Sequence, residues 1–296
     1  MSTWSASASL APGRRRLADF VALTKPRITF LVVLTTLVGF VAARGGEWDL
    51  VLLARTLAGT ALVAGAASAL NQWAERDADA LMRRTLRRPL PAGRLVPRDS
   101  AVFGVVLAAG GTAYLALTVG VLPSALAAVT AASYLLVYTP LKRVTSLATV
   151  AGAVPGAIPP MIGWAAARGR LDAGAWVLFF ILFFWQMPHF LALAALYRRD
   201  YARAGFRVLS VVDPDGASTA RQSVLYALAL LPVSLMPALL GMAGPLYFFG
   251  ALALGIGFLV YGVRFALRPG SQPHAARLFH YSLLYLPALC TLMALA

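Results

Sequence analysis

Charge is what this sequence has least of. Asp, Glu, Lys and Arg make up only 12% of its 296 residues, against roughly a quarter in an average soluble domain. Acids are scarcer still, 11 against 26 basic residues. Cys290 is the sole cysteine, which excludes an intrachain disulfide and any metal site built from several thiolates. The start of the chain also lacks the short apolar core and small-residue cleavage site of a secretory leader. Arg14, Arg15 and Arg16 lead instead towards a long apolar stretch.

What fills the chain is apolar. Hydrophobic residues account for 60% of it, and the mean hydropathy is +0.75. They come in long blocks rather than short periodic runs, and stretches of about 18 residues suffice to cross a hydrocarbon core of roughly 30 Å. The pattern predicts an all-α integral membrane protein with nine spans, at 28–43, 51–72, 100–118, 121–139, 147–167, 174–196, 222–242, 246–267 and 279–296. Gly152, Pro155, Gly156, Pro159, Pro160, Pro188, Pro232 and Pro237 fall inside these spans, where neighbouring helices can re-satisfy the backbone. Residues 1–20 are expected to form a disordered cytoplasmic tail and 21–296 a single transmembrane domain.

The formal charge of +15 does not imply nucleic acid as a partner, because the basic residues sit between hydrophobic blocks rather than on one soluble face. With the N-terminus inside, all but four of the 26 basic residues, Arg44, Arg55, Arg168 and Arg170, fall on inner segments. That asymmetry supports an odd number of spans and a multi-pass protein of the inner (cytoplasmic) membrane. Two inner connections are long, about 73–99 and 197–221, and they hold Glu75, Asp77, Asp79, Asp99, Asp200, Asp213 and Asp215. A chemical site is therefore expected on the cytoplasmic face.

Within the first connection, Asn71, Glu75 and Asp79 are spaced i, i+4, i+8 and form one stripe if the helix continues. Like charges at that spacing repel, and a hard divalent cation relieves the repulsion. Carboxylate and amide oxygens suit Mg²⁺, which completes its shell with water and phosphate oxygens. Arg83, Arg84, Arg87 and Arg88 follow, ready for anionic phosphates. The plainer alternative is a solvated loop of acid–arginine pairs that only fixes topology. Asn71 favours the functional reading, since a polar residue at the end of an apolar membrane helix is a site candidate by default.

The stretch from Asn71 to Arg94 resembles the first aspartate-rich motif of the UbiA-type intramembrane prenyltransferases, in the form found in their haem O synthase branch. Glu75 stands where the general motif has its first aspartate. Leu23-Thr24-Lys25-Pro26-Arg27 is similar to the opening of that branch. Trp185-Gln186-Met187-Pro188-His189-Phe190, with Tyr197 to Gly205 behind it, resembles its second loop motif, although only Asp200 stands where most family members have an aspartate pair. Tyr138-Thr139-Pro140-Leu141-Lys142-Arg143 resembles a third. Without the resemblance, that last string reads equally well as an aromatic belt residue followed by positive anchors.

The resemblance implies a UbiA-type nine-helix fold and transfer of a farnesyl group from farnesyl diphosphate to a vinyl group of haem b. It implies Mg²⁺ held by Asn71, Glu75, Asp79 and Asp200, and a diphosphate held by Arg83, Arg87, Lys142, Arg143 and Arg199. Asp79, Lys142 and Tyr138 would be catalytic, Tyr138 shielding a carbocation with its ring. His189 and Gln186 would contact the haem, His189 through the iron or a propionate. Beyond substrates and the lipid bilayer, haem A synthase or terminal oxidase assembly factors are the partners implied. Within the family the acceptor could instead be a quinone precursor or another ring. From a different class, a transporter or haem carrier remains, but transporters carry polar residues near the bilayer midplane and several spans here are nearly bare of them.

Overall fold

In hydrocarbon every backbone N–H and C=O has to find its partner within the protein, and a helix does so along its own length. The computed structural model describes residues 12–43 and 49–295, and among them every regular element is helical, with no strand. Ten long helices follow in order: α1 (Pro12–Leu23), α2 (Pro26–Ala42), α3 (Leu50–Ala74), α4 (Pro97–Thr118), α5 (Val121–Val144), α6 (Ala148–Arg168), α7 (Ala173–Leu196), α8 (Ala217–Leu239), α9 (Pro245–Ala266) and α10 (Gln272–Leu295). Helices α3 to α10 are each long and apolar enough to span a membrane, and α2 gives a ninth span when joined to α1 across a 46° bend. The chain is a multi-pass membrane protein.

Two details differ from the sequence expectation. Residues 12–20 of the expected disordered tail belong to α1, while residues 1–11 of it, like Arg44, lie outside the described residues. The ninth span starts at Gln272, about two turns before position 279, because its polar first turns still pack: Gln272 Nε2 donates to the Ala195 carbonyl at 3.0 Å and Ala275 is buried. Helix α1 is held across the 80–99 connection by Arg16 on Asp99 at 2.6 Å and by Arg94 on Asp19 at 2.9 Å. Leu23, Leu90 and Leu95 are buried together beside Phe20 and Phe103, whose rings lie 5.1 Å apart.

The helices close into a ring. Helices α3 and α4, α7 and α8, α8 and α9, and α9 and α10 pack as neighbours, and a lighter α10–α2 contact completes the circuit. Helix α2 crosses the second half of α6 (Pro159–Arg168) closely. Only glycine permits this approach: a Cβ on Gly39 would strike the Pro160 carbonyl, and one on Gly163 would strike that of Thr36. Small residues at crossings are how membrane helices gain packing that lipid cannot supply. Outward, Leu117, Val121, Leu136 and Phe249 stay exposed, as a hydrocarbon solvent allows.

Helix α5 carries a π-helical stretch, Ser133–Tyr138, immediately before Pro140. Proline has no N–H and its ring crowds the carbonyl four residues back, so the local helix widens. The widening brings Thr139 Oγ1 to the Tyr134 carbonyl five residues earlier, at 2.9 Å.

Gly163→Val should lower the thermal midpoint of the purified protein in detergent, by the overpacking cost of about 1–3 kcal/mol or more. Gly110→Ala, which meets nothing within 4 Å, should be neutral or slightly stabilising by comparison.

A candidate active site at the loop end of the bundle

Helix α3 ends at Ala74, Glu75 sits at the break with φ −102°, and a short helix Arg76–Asp79 takes over. The break is shallow: the Glu75 N–H still bonds the Asn71 carbonyl at 2.9 Å, and the Asp79 N–H bonds that of Glu75 at 2.8 Å. The expected stripe survives, and all three residues are buried, Asp79 to 1% exposure. Each has acquired a cation. Lys25 Nζ donates to Asn71 Oδ1 at 3.1 Å, Lys142 pairs with Glu75, and Arg88 Nη1 meets Asp79 Oδ2 at 2.6 Å.

These pairs come from four parts of the chain. Lys142 lies in the last turn of α5, itself buried, with its ammonium 4.5 Å from the Tyr138 ring centre and 5.5 Å from that of Phe206. The widened turn of α5 turns Tyr134 to donate to Asn71 Oδ1 at 3.3 Å, while Asn71 Nδ2 donates to Thr139 Oγ1 at 3.2 Å. Lys25 stands between α1 and α2 with φ +47°, the sole non-glycine residue with positive φ among the described residues. Such a conformation costs on the order of 1–3 kcal/mol and is retained where surroundings enforce it. Pro26 next to it already disfavours the helical alternative.

The second connection covers the first. Met82, Ala78, Phe206, Val208 and Ala204 form a small buried cluster between the loops. The Arg207 N–H bonds the Lys142 carbonyl at 2.7 Å. Arg84 inserts its guanidinium between Tyr197 and Tyr201, 5.1 and 5.5 Å from their ring centres. Burial pushes the Tyr201 hydroxyl above its ordinary pKa, so it stays neutral beside Arg84.

The other expected site residues fall elsewhere. Arg83, Arg87, Arg143 and Arg199 are exposed, with no ion pair among the described residues. Asp200 does not join Glu75 and Asp79; its carboxylate pairs with Arg203 at 3.4 Å. Helix α7 stops at Leu196, so the helical persistence that would set His189 and Asp200 on one face is lost at Tyr197. Asp213 serves its own helix: it accepts from the N–H and hydroxyl of Thr219 at 2.7 and 2.8 Å. Burial pushes its carboxyl up, but these hydrogen bonds outweigh that and hold it below the usual carboxylate range. Gln186 donates to the Ala153 carbonyl at 2.6 Å, and His189 meets Ser282 on α10. Lys25 and Arg88 are the site residues whose position sequence spacing does not reveal. Lys25 lies 46 residues from Asn71, and Arg88 is one of four similar arginines.

No group of three or more His, Cys, Asp or Glu side chains converges among the described residues, so the donors cannot cage a metal alone. They can share one. Asp79 Oδ1 is buried and has no hydrogen-bond partner, an orphan whose desolvation goes uncompensated until something cationic or donating arrives. Mg²⁺ usually takes one or two carboxylates and completes its shell from water and phosphate oxygens, and this donor set fits that habit. Glu75→Ala, which leaves the Lys142 ammonium buried and unpaired, should cost about 3–5 kcal/mol of stability. Glu75→Ala/Lys142→Ala should recover much of that loss, read as thermal midpoints in detergent; additive losses would mean the two are not coupled.

The sequence matches the UbiA prenyltransferase family over residues 32–284. It is 50% identical over 288 residues to the protoheme IX farnesyltransferase of Solibacter usitatus (strain Ellin6076), covering 94% of this chain and 98% of that one. It is 45% identical to the protoheme IX farnesyltransferase of Koribacter versatilis (strain Ellin345), over 94% and 93% of the two chains. Among solved structures, a digeranylgeranylglyceryl phosphate synthase superposes with a TM-score of 0.80 at 13% identity, over 95% of this chain and 98% of that one. A UbiA homolog from Archaeoglobus fulgidus bound to DMAPP and Mg²⁺ superposes with a TM-score of 0.65 at 14% identity, over 94% and 100%.

Proposed function

This chain belongs to the UbiA prenyltransferase family and is a prenyltransferase, and from that premise we propose that it transfers the farnesyl group of farnesyl diphosphate to a vinyl group of haem b. The observation that carries the reading is the cluster of three buried acceptors and three cations at one end of the bundle, with Asp79 Oδ1 left without a partner. The acceptor and the prenyl length rest on the relatives, which are protoheme IX farnesyltransferases at 45–50% identity across nearly the whole chain.

Asp79, with Asn71 and Glu75 beside it, would hold Mg²⁺, which when bound neutralises diphosphate charge and eases its departure. Lys25, Arg88 and Lys142 each sit on one of those three oxygens. With Mg²⁺ bound, their ammonium and guanidinium groups would be the ones to face the phosphate oxygens. The C1–O bond of the prenyl chain breaks, the electron pair leaves with diphosphate, and the allylic cation forms beneath the Tyr138 ring. Burial of the site by Phe206 and Met82 keeps water from that cation. The terminal vinyl carbon of haem b then bonds to C1. Water adds at the inner vinyl carbon and gives up a proton, leaving a hydroxyethylfarnesyl side chain. The positive-inside pattern supports an inner-membrane orientation with these loops in the cytoplasm.

Purified protein incubated with haem b, farnesyl diphosphate and Mg²⁺ should yield a haem heavier by a farnesyl group plus water, and none with chelator present. Asp79→Asn should lower the rate about 100- to 1,000-fold, with binding of haem b unchanged. Haem b recovered unaltered while an aromatic acceptor is prenylated would keep the transferase and remove the haem.

A further inference from the structure

Helix α1 turns 46° away from the axis of α2 and lies against α3 and the start of α4. Its inner face is fully used. Phe20 meets Phe103, Leu23 is buried, Arg16 pairs with Asp99, and Asp19 pairs with Arg94. Its outer face carries Arg15, Leu17 and Val21, all exposed. At 12 residues α1 is too short to cross a bilayer by itself. Bare aliphatic side chains next to arginine on so short a helix suit one that lies in the headgroup region.

Helix α4 fixes the height of that surface. Val102, Val105 and Val106 are exposed on a helix long and apolar enough to span, so they face lipid. Arg98 precedes Val102 by four residues and shares its stripe, in the first turn, where the hydrocarbon ends. Helix α2 repeats the pattern, with exposed Arg27 in its first turn four residues before exposed Leu31. Arg15 and Arg98 adjoin the two ends of the Arg16–Asp99 bridge, which sets them at one corner. Both acids of that corner, Asp19 and Asp99, are already taken by Arg94 and Arg16. Among the described residues no carboxylate pairs with Arg15, Arg27 or Arg98. An arginine surrounded by water needs no partner, but at the edge of the hydrocarbon the nearest counter-ion is a lipid phosphate.

We propose that the outer face of α1, with the first turns of α4 and α2, docks on anionic phospholipid headgroups of the leaflet at the loop end. This does not depend on the acceptor proposed above. Orientation in the membrane requires only the arginines. It does not require that both nearby acids turn inward, or that Leu17 and Val21 stand bare beside the charge. Docking reaches the charged cluster through two links. Arg94 ties α1 to the 80–99 connection, which sets Arg88 on Asp79, and α1 runs directly into Lys25, which holds Asn71. A lipid-held α1 steadies both cations.

The test places the full-length protein in nanodiscs of phosphatidylcholine, with or without phosphatidylglycerol, and follows amide hydrogen exchange by mass spectrometry. Phosphatidylglycerol should slow exchange in α1 about tenfold or more, the effect of two arginines beside an anionic surface. High salt should remove the gain. The amides of Ala92 and Arg94, which bond the Arg88 and Pro89 carbonyls at 3.0 and 2.9 Å, should slow with it. Arg15→Gln/Arg98→Gln should lose the response at an unchanged thermal midpoint, and Arg15→Lys/Arg98→Lys should keep most of it. Leu17→Ser/Val21→Ser, which alters no charge, should weaken it as well. Exchange in α1 that is the same in both lipids would overturn the proposal without reference to any variant. A phosphatidylglycerol effect that survives in the glutamine variant would overturn the assignment to this corner. Protection that follows protein concentration rather than lipid charge would give the face to a second copy of the chain and overturn the lipid.

Discussion

An ion taken out of water into the end of a helix bundle loses several kcal/mol of hydration, and only a close counter-ion returns it. Glu75 and Asp79 are both buried, and so is Lys142, yet each has its opposite within ion-pair distance. The rest of the loop architecture follows from that requirement. The 80–99 connection folds back far enough to set Arg88 on Asp79, and α1 clamps that connection through Asp19 and Asp99. The 197–216 connection closes over Lys142 with Phe206. Removing any one member would strand a charge that nothing else neutralises.

The same requirement links stability to chemistry. A resting site whose two carboxylates face Lys25, Arg88 and Lys142 carries no net negative charge to draw a metal. Asp79 offers an opening, since one of its oxygens is held by Arg88 and the other is unpartnered. Under the proposed function, a phosphate-bearing ligand arriving with a divalent cation would offer an anion to the basic groups and a cation to the carboxylates, so that no buried charge would stand alone. Strain at Lys25 fits this scheme, because its backbone is forced to deliver an ammonium to Asn71 rather than to continue the helix.

Helix geometry shapes the cluster as directly as charge does. The π-helical turn before Pro140 rotates Tyr134 and Thr139 onto Asn71 while leaving Tyr138 against Gly152. The glycine crossing lets the backbones of α2 and α6 approach closely, Gly39 against Pro160 and Gly163 against Thr36. On the α7–α10 seam, Trp185 Nε1–H bonds the Ser282 carbonyl and His189 Nδ1 meets the Ser282 hydroxyl.

The sequence by itself determined the membrane class and the helical architecture. Composition and block length are one-dimensional quantities, and a bilayer accepts few ways of satisfying a long apolar backbone. It also determined Asn71, Glu75 and Asp79 as a group, because their spacing is local to one helix and the short break at Glu75 does not disturb it. Which arginine serves the site was not local. Arg83, Arg84, Arg87 and Arg88 are chemically alike, and the course of the loop alone gives Arg88 to Asp79 and Arg84 to two tyrosines. Lys25 and Lys142 reach the cluster from 46 residues before Asn71 and 67 residues after Glu75, and Ser282 reaches His189 across 93. No periodicity encodes such distances. They are decided by which helices pack side by side, and that depends on three-dimensional shape rather than on order along the chain.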